Sequence, residues 1–68
     1  MVICLIGVYI KQSRYSRKEI CEIFEISQNT LSNWSTGKTY PSVPQLLKLA
    51  KLLNVKLDDL YKLKEEEN

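Results

Sequence analysis

The sequence contains no histidine, and its only cysteines are Cys4 and Cys21. Zinc sites and nucleophilic catalytic sites are built largely from histidine and cysteine side chains. The chain therefore lacks the residues of a zinc finger or a catalytic triad, and we expect no metal, no cofactor and no enzymatic activity. A disulfide between the two cysteines is the less favoured alternative, because free thiols are the norm in cytoplasmic proteins.

The sequence also lacks an apolar segment long enough to cross a bilayer. The uncharged segment MVICLIGVYI covers residues 1–10, whereas a membrane-spanning helix needs about twenty apolar residues. No basic segment or small-residue cleavage site marks this segment as a signal peptide. We therefore expect no membrane partner and a cytoplasmic protein.

The net charge of +2 understates the basic character of the chain. Residues 1–64 contain ten basic and five acidic side chains, a net charge of +5, and the other three acids lie at positions 65–67. A chain of 68 residues is the size of one small domain. We expect this domain to occupy residues 1–64 and a polar acidic tail to follow at residues 65–68. The basic surplus favours a polyanionic partner without requiring one.

Residues 16–37 have the pattern of two short helices joined by a tight turn. Ser16 and Glu19 form the S-x-x-E capping box that begins a helix. Ser27 is a suitable N-cap for a second helix, and Gly37 tolerates the left-handed conformation in which such a helix ends. Two helices joined by a turn of three or four residues can place the second helix in the DNA major groove.

The second of these helices has one apolar and one polar face. At about 100° per residue, Leu31 and Trp34 lie on one side and should face the core. The other side carries asparagine, glutamine and serine. Asparagine and glutamine can bond bidentately to adenine, and serine can contact either type of base edge. A merely solvated surface is the alternative, although exposed helix positions more often carry lysine or glutamate, which are better helix formers. The polar face is uncharged and consists of Gln28, Asn29, Ser32 and Asn33.

The segment from residue 16 to residue 60 resembles the helix-turn-helix domain of the phage repressor and Cro type. Its most specific parts are WSTGKTYPS at residues 34–42 and LLKLAKLLNVKLDDL at residues 46–60, taken together. The resemblance extends over about residues 6–63. It implies an all-α fold, a compact five-helix lambda-repressor-like DNA-binding domain with its helix-turn-helix at about residues 16–36.

The resemblance leaves two conformations open for the N-terminus. Ile6 and Tyr9 match apolar positions of the family's first helix, which favours a helix ending near Gln12. The β-branched residues also allow Val2 to Leu5 to be extended. These apolar residues exceed what one helix face needs, so we expect them to cover the last helix or to pack against a second chain.

In this family the first of the paired helices lies across the DNA backbone and the second contacts bases in the major groove. By position, the resemblance implies base contacts from Gln28, Asn29, Ser32 and Asn33. It implies phosphate contacts from Ser16, Arg17, Thr36, Lys38 and Thr39. Lys18 joins this set because cations in the first turn of a helix oppose the helix dipole, which indicates a functional reason for both Arg17 and Lys18. Pairing of these two cations with Glu19 and Glu22 is the alternative.

The resemblance also implies a function and a set of partners. We expect a sequence-specific transcriptional regulator, and specifically a repressor, that binds double-stranded DNA in the cytoplasm of a bacterium or as a phage-encoded protein associated with the nucleoid. One recognition helix contacts only a few base pairs, so we expect a homodimer on an inverted repeat. The apolar residues available for the dimer interface are Leu57, Leu60, Tyr61 and Leu63.

Other partners remain compatible with the sequence. A regulatory protein partner is one of them. Two alternative functions also stay open: a DNA-binding antitoxin or accessory subunit of a larger complex, and a protein-binding helical module that has lost DNA binding. Salt-dependent affinity for DNA would separate the second alternative from the others.

Four positions depart from the family pattern. Family members often pair an arginine late in the first helix with a glutamate directly after the tryptophan, where this chain has Ile10 and Ser35. Because losing both partners of an ion pair costs little, we expect Ile10 to pack under Trp34 and a carboxylate at position 35 to destabilise the fold. Glu25 replaces a glycine, and a positive φ there would cost about 1 kcal/mol. Cys21 replaces a small alanine, so we expect it to be buried.

Overall fold

The computed structural model describes residues 2–64, which form five helices and two short strands. The predicted all-α domain of five helices is thus confirmed, with a small two-stranded sheet in addition. The acidic tail predicted at residues 65–68 lies outside the described residues. In chain order the elements are β1 (Val2–Cys4), α1 (Ile6–Gln12), α2 (Arg17–Phe24), α3 (Gln28–Thr36), α4 (Val43–Leu53), α5 (Leu57–Leu60) and β2 (Tyr61–Leu63).

The two strands join the beginning and the end of the described chain. β1 and β2 pair in antiparallel orientation, with Val2 opposite Leu63 and Cys4 opposite Tyr61. The pairing gives β1 a partner at the end of the described chain, but Val2 and Leu63 remain 53% and 73% exposed, so it does not bury these apolar side chains.

This pairing also sets the limits of the first and last helices. The Leu5 N–H donates to the Leu60 carbonyl at 2.8 Å and so extends the contact between the two ends of the described chain to the residue before α1. Of the two conformations left open for the N-terminus, Val2–Cys4 adopts the extended one, and Leu5 is the N-cap of α1. α5 has only four residues. Tyr61 and Leu63, two of the residues expected at the dimer interface, lie on β2.

Serine side chains begin three of the helices. The Oγ atoms of Ser16, Ser27 and Ser42 each accept a hydrogen bond from the N–H three residues later. At Ser16 and Ser42 the bond is returned: Glu19 and Gln45 accept from the serine N–H at 2.9 Å. These bonds satisfy N–H groups that the first turn of a helix leaves unpaired. The capping box predicted at Ser16 and Glu19 is present.

The three longest helices end in the same left-handed conformation. The residues concerned are Glu25 with φ 55°, Gly37 with φ 78° and Asn54 with φ 57°. After each of them, the next N–H donates to the carbonyl five residues back at 2.9–3.0 Å, which is the Schellman arrangement. Glu25 thus has the positive φ whose cost was considered for that position, and its side chain costs about 1 kcal/mol relative to glycine.

One apolar core connects all five helices. Its centre includes an edge-to-face pair of Phe24 and Trp34, with ring centroids 5.8 Å apart. Ile10 is buried in the same cluster as Trp34, as we expected from the missing ion pair. Cys21 is buried as predicted, and both cysteines are free thiols. The ten buried apolar residues of the described chain are Ile6, Ile10, Ile20, Cys21, Phe24, Leu31, Trp34, Leu49, Ala50 and Leu60.

The first helix holds α3 at close range. A Cβ atom on Gly7 would stand 3.2 Å from the Ser35 carbonyl oxygen and 3.3 Å from the Ser35 Cβ. Contacts at that distance are tighter than ordinary van der Waals packing, so the lack of a side chain at Gly7 lets α1 approach the backbone of α3. The position of α3 relative to the rest of the domain is set partly by this contact.

Candidate nucleic-acid interface

The four residues of the polar face predicted for the second helix lie on the outward side of α3. α2 and α3 are joined by residues 25–27 and form the expected helix-turn-helix. Leu31 and Trp34 are buried under α3. On its other side Gln28, Asn29 and Ser32 are exposed, and Asn33 is half-buried. The four residues predicted to contact bases are thus brought together on one short helix.

The segment after α3 is fixed by the end of that helix. The Asn33 carbonyl accepts hydrogen bonds from the N–H groups of Lys38 at 2.9 Å and Thr39 at 3.3 Å. Both side chains are exposed. Two of the predicted phosphate-contacting residues are therefore held beside the C-terminal end of α3 by backbone hydrogen bonds.

Thr36 and Ser16 differ in the availability of their hydroxyl hydrogens. Thr36 donates to the Ser32 carbonyl at 3.0 Å, so its hydroxyl would have to turn before it could donate to a phosphate. Ser16 instead accepts at its Oγ, from the Glu19 N–H at 3.1 Å. Its hydroxyl hydrogen stays available at the beginning of α2, where the helix dipole favours an anion. The same cap lowers the pKa of Glu19, chiefly through the hydrogen bond from the Ser16 backbone.

The cations at the start of α2 have no carboxylate partner among the described residues. Within residues 2–63 the structure shows an ion pair between Lys62 and Asp59, whose Nζ and Oδ1 atoms are 3.6 Å apart. Glu19 and Glu22 thus form no ion pair with Arg17 or Lys18, which was the alternative explanation for these cations. Lys18 is exposed, and a bound anion could reach it.

Arg17 connects the beginning of α2 with the outward side of α3. Its Nη2 donates to Ser32 Oγ at 2.7 Å, and its Nη1 donates to Ser35 Oγ at 3.4 Å. Ser35 in turn donates to the Leu31 carbonyl at 2.8 Å. This connection was not among the contacts expected from the residue pattern. The only signal for it is the spacing of two serines one turn apart on the helix that follows an arginine-bearing helix.

The residues predicted for a dimer interface fall into two groups. Leu57 and Leu63 are exposed, Leu63 by 73%, and Tyr61 is half-buried. Leu60 has no exposed surface and belongs to the core. Leu60 is therefore unavailable to a second chain, because α5 turns its side chain toward α4 and the other helices.

Tyr61 is half-buried on β2, opposite Cys4 of β1. Its hydroxyl oxygen is buried without a hydrogen-bond partner in the described structure, and its ring lies 5.6 Å from that of Tyr40. Burial, together with the neighbouring Cys4 and Tyr40, raises the pKa of Tyr61 to about 12. The phenol is therefore neutral at physiological pH and acts as a packing residue.

Other kinds of site are not evident in the part of the chain that the structure describes. Residues 2–64 contain no group of three histidine, cysteine, aspartate or glutamate side chains that could hold a metal ion. None of the helices in this range is long and apolar enough to cross a membrane. The outward side of α3 and the cations around it are consequently the strongest candidate site.

Comparison with known proteins agrees with this geometry. The sequence matches the profile of the helix-turn-helix family over residues 9–60. Among solved structures, the chain is similar to the crystal structure of "a putative DNA-binding protein from Bacteroides fragilis", with 32% identity and a TM-score of 0.79 over 91% of this chain and 100% of that chain. No curated protein matches it. Since the profile covers most of the chain, including α2, α3 and α4, the chain belongs to the XRE-type helix-turn-helix family.

Proposed function

We propose that this chain is a sequence-specific transcriptional regulator, without enzymatic activity, that binds double-stranded DNA and inserts α3 into the major groove. The observation that carries the proposal is the outward side of α3, where amides and hydroxyls replace the charged residues usual on exposed helices. Buried Leu31 and Trp34 fix this helix from beneath, so its polar side is presented on a rigid element. The similarity to a protein described as a putative DNA-binding protein supports the same function.

The positions of the cations support contacts with the DNA backbone on both sides of the major groove that α3 enters. Arg17 lies beside the second half of α3, where it bonds to Ser32 and Ser35, and Ser16 and Lys18 adjoin it in the chain. Lys38 and Thr39 follow its C-terminal end. Phosphate contacts of this kind supply most of the sequence-independent affinity and fix the orientation of a recognition helix. We assign Thr36 to the same set, with its hydroxyl turned from the Ser32 carbonyl in the complex.

We further propose that the protein represses transcription as a homodimer on an inverted repeat, in the cytoplasm of a bacterium or a phage-infected cell. A helix of nine residues contacts too few base pairs for a unique site, and a two-fold dimer doubles the sequence that is recognised. Exposed apolar residues support self-association: Val2 is 53% exposed and lies opposite Leu63 across the strand pair. Leu57 and Tyr61 complete the proposed contact surface, without the buried Leu60.

The test is selection of duplex DNA from a randomised pool with the purified protein, followed by measurement of the dissociation constant at several salt concentrations. We expect an enriched inverted repeat and a steep loss of affinity with salt. Lys38→Ala should remove one phosphate contact and so reduce the slope of log affinity against log salt concentration by about one unit. Lys56→Ala removes an equal charge from the exposed start of α5 and should leave the slope unchanged. Equal effects of both substitutions would contradict the proposed interface.

The exposed pair of Val2 and Leu63 also favours a second candidate, an antitoxin or accessory subunit whose protein partner covers this patch. A second polypeptide that co-purifies in fixed ratio and is lost in Leu63→Glu would support that function. A protein that binds no DNA at low salt would instead be a helical module that contacts proteins only.

A further inference from the structure

The guanidinium of Arg17 spans two serines on the outward side of α3. Its two terminal nitrogens donate to Ser32 Oγ at 2.7 Å and to Ser35 Oγ at 3.4 Å. The serines are three residues apart and therefore neighbours on the helix surface. A planar fork with several fixed N–H groups bonds both hydroxyls in one geometry, whereas the lysine ammonium has rotatable donors and no fixed fork.

The three hydroxyls in the second half of α3 are used in different ways. Ser35 and Thr36 each donate to the carbonyl four residues back, at 2.8 Å and 3.0 Å. Ser32 is exposed, and its hydroxyl donates to no group among the described residues. Its oxygen accepts from Arg17, which has donors only. The hydrogen of the Ser32 hydroxyl is therefore free and points away from the guanidinium.

We infer that Arg17 is a positioning residue for base recognition, which makes Ser32 a hydrogen-bond donor toward the DNA. The inference rests on the proposed function and adds to it the kind of base that Ser32 prefers. In the major groove guanine offers N7 and O6 as acceptors, adenine offers N7 and thymine offers O4, whereas cytosine offers only an amino donor. Ser32 therefore selects against cytosine on the strand that it faces.

The positive charge of Arg17 also favours a base that offers a hydrogen-bond acceptor to Ser32. A cation beside Ser32 strengthens the hydroxyl as a donor and attracts electronegative base atoms. Because a guanidinium carries five N–H donors, two bonds to serines leave others for a phosphate. Arg17 can thus neutralise a phosphate and orient Ser32 at the same time, and these two roles predict different effects of mutation.

The experiment compares wild type with Ser32→Ala, Arg17→Lys and Lys18→Ala. Dissociation constants are measured on the best duplex selected from a randomised pool and on all of its single-base variants. Ser32→Ala identifies the position that Ser32 contacts, as the one where base preference disappears. Arg17→Lys keeps the charge but removes the fixed fork that bonds both serines in one geometry. Lys18→Ala is the control, because Lys18 adjoins Arg17 and bonds to neither serine. Thermal unfolding verifies that each variant is folded.

We expect wild type to bind at least about fivefold more weakly when cytosine occupies the position identified by Ser32→Ala. Arg17→Lys should reduce this discrimination to near parity, with unchanged preferences elsewhere and an unchanged salt dependence. Lys18→Ala should weaken binding to all duplexes by the same factor. Full discrimination in Arg17→Lys, or a Ser32→Ala variant with no altered position, would overturn the inference while wild type still selects a site. A wild type without any base preference would overturn the proposed function as well.

Discussion

Gly37 at the end of α3 lies directly against Cys4 of β1. A Cβ atom on Gly37 would stand 3.1 Å from the Cys4 Cβ. The Cys4 thiol donates to the Trp34 carbonyl at 3.1 Å, in the last turn of α3. The N-terminal strand therefore covers the C-terminal end of the candidate recognition helix, and the two are joined by packing and by a hydrogen bond.

The first prediction follows from this contact. Gly37→Ala should lower the free energy of unfolding by about 2 kcal/mol, because alanine is strained at φ 78° and its methyl group meets Cys4. Urea denaturation measures the change. In a Cys4→Gly background, which lacks the opposing Cβ atom, Gly37→Ala should cost less by the part due to the contact. A Gly37→Ala variant as stable as wild type would contradict both the strain and the close packing.

Glu25 and Asn54 supply a matched pair for the second prediction. Both have left-handed backbones, with φ 55° and 57°, but asparagine tolerates this conformation better than glutamate. Glu25→Gly should raise the free energy of unfolding by about 0.5–1 kcal/mol, whereas Asn54→Gly should change it by less. Both values come from chemical denaturation under identical conditions. The strain assigned to Glu25 would be absent if both substitutions had the same effect.

Local features of the fold were predictable because they depend on neighbouring residues. The Ser16–Glu19 capping box follows from a four-residue spacing, and it occurs as predicted. The family's glycine at the position of Glu25 raised the case of a positive φ, which the structure has.

Features that depend on distant residues were not predictable in the same way. The three-residue strand β1 pairs with β2 from the opposite end of the described chain, and neither segment is long enough to show a strand pattern. Likewise, the bonds from Arg17 to Ser32 and Ser35 depend on how α2 crosses α3 and on an arginine rotamer. The residue types indicated a polar face on α3, but they did not show which hydroxyls of this helix already accept a hydrogen bond from Arg17.

The third prediction concerns Asn33, the half-buried member of the proposed base-contacting set. Asn33→Ala should relax base preference at one position of each half-site, at a cost of about 1–3 kcal/mol there. Its backbone bonds to Lys38 and Thr39 remain in the variant, so the phosphate contacts should be preserved. Binding to single-base variants of the selected duplex measures the effect. Equal weakening on every duplex would show that Asn33 does not contact a base.

The fourth prediction revises an expectation about position 35. From sequence, a carboxylate there faced only the apolar Ile10 and should destabilise the fold. Arg17 Nη1 lies 3.4 Å from Ser35 Oγ, so a glutamate at this position can pair with the guanidinium. Ser35→Glu should therefore change the free energy of unfolding by less than about 1 kcal/mol, since such partly exposed pairs contribute little.

The role of Arg17 in this result is tested by a double-mutant cycle. In an Arg17→Ala background, the same Ser35→Glu substitution should destabilise more, and the difference should shrink at high salt. Denaturation curves for the wild type, both single variants and the double variant give the coupling energy. A coupling of zero, with Ser35→Glu strongly destabilising alone, would restore the expectation derived from the sequence.

The fifth prediction concerns self-association through the patch of Val2 and Leu63. Leu63 is 73% exposed, so Leu63→Glu should leave the protomer folded but place a charge in the proposed interface. We expect light scattering at micromolar concentration to show a dimer for wild type and a monomer for the variant, together with weaker binding to the inverted repeat. Val8→Glu is the control, because Val8 is also exposed but lies on α1 rather than on the strand pair. A wild type that stays monomeric on its selected duplex, or two variants that dimerise equally well, would contradict this interface.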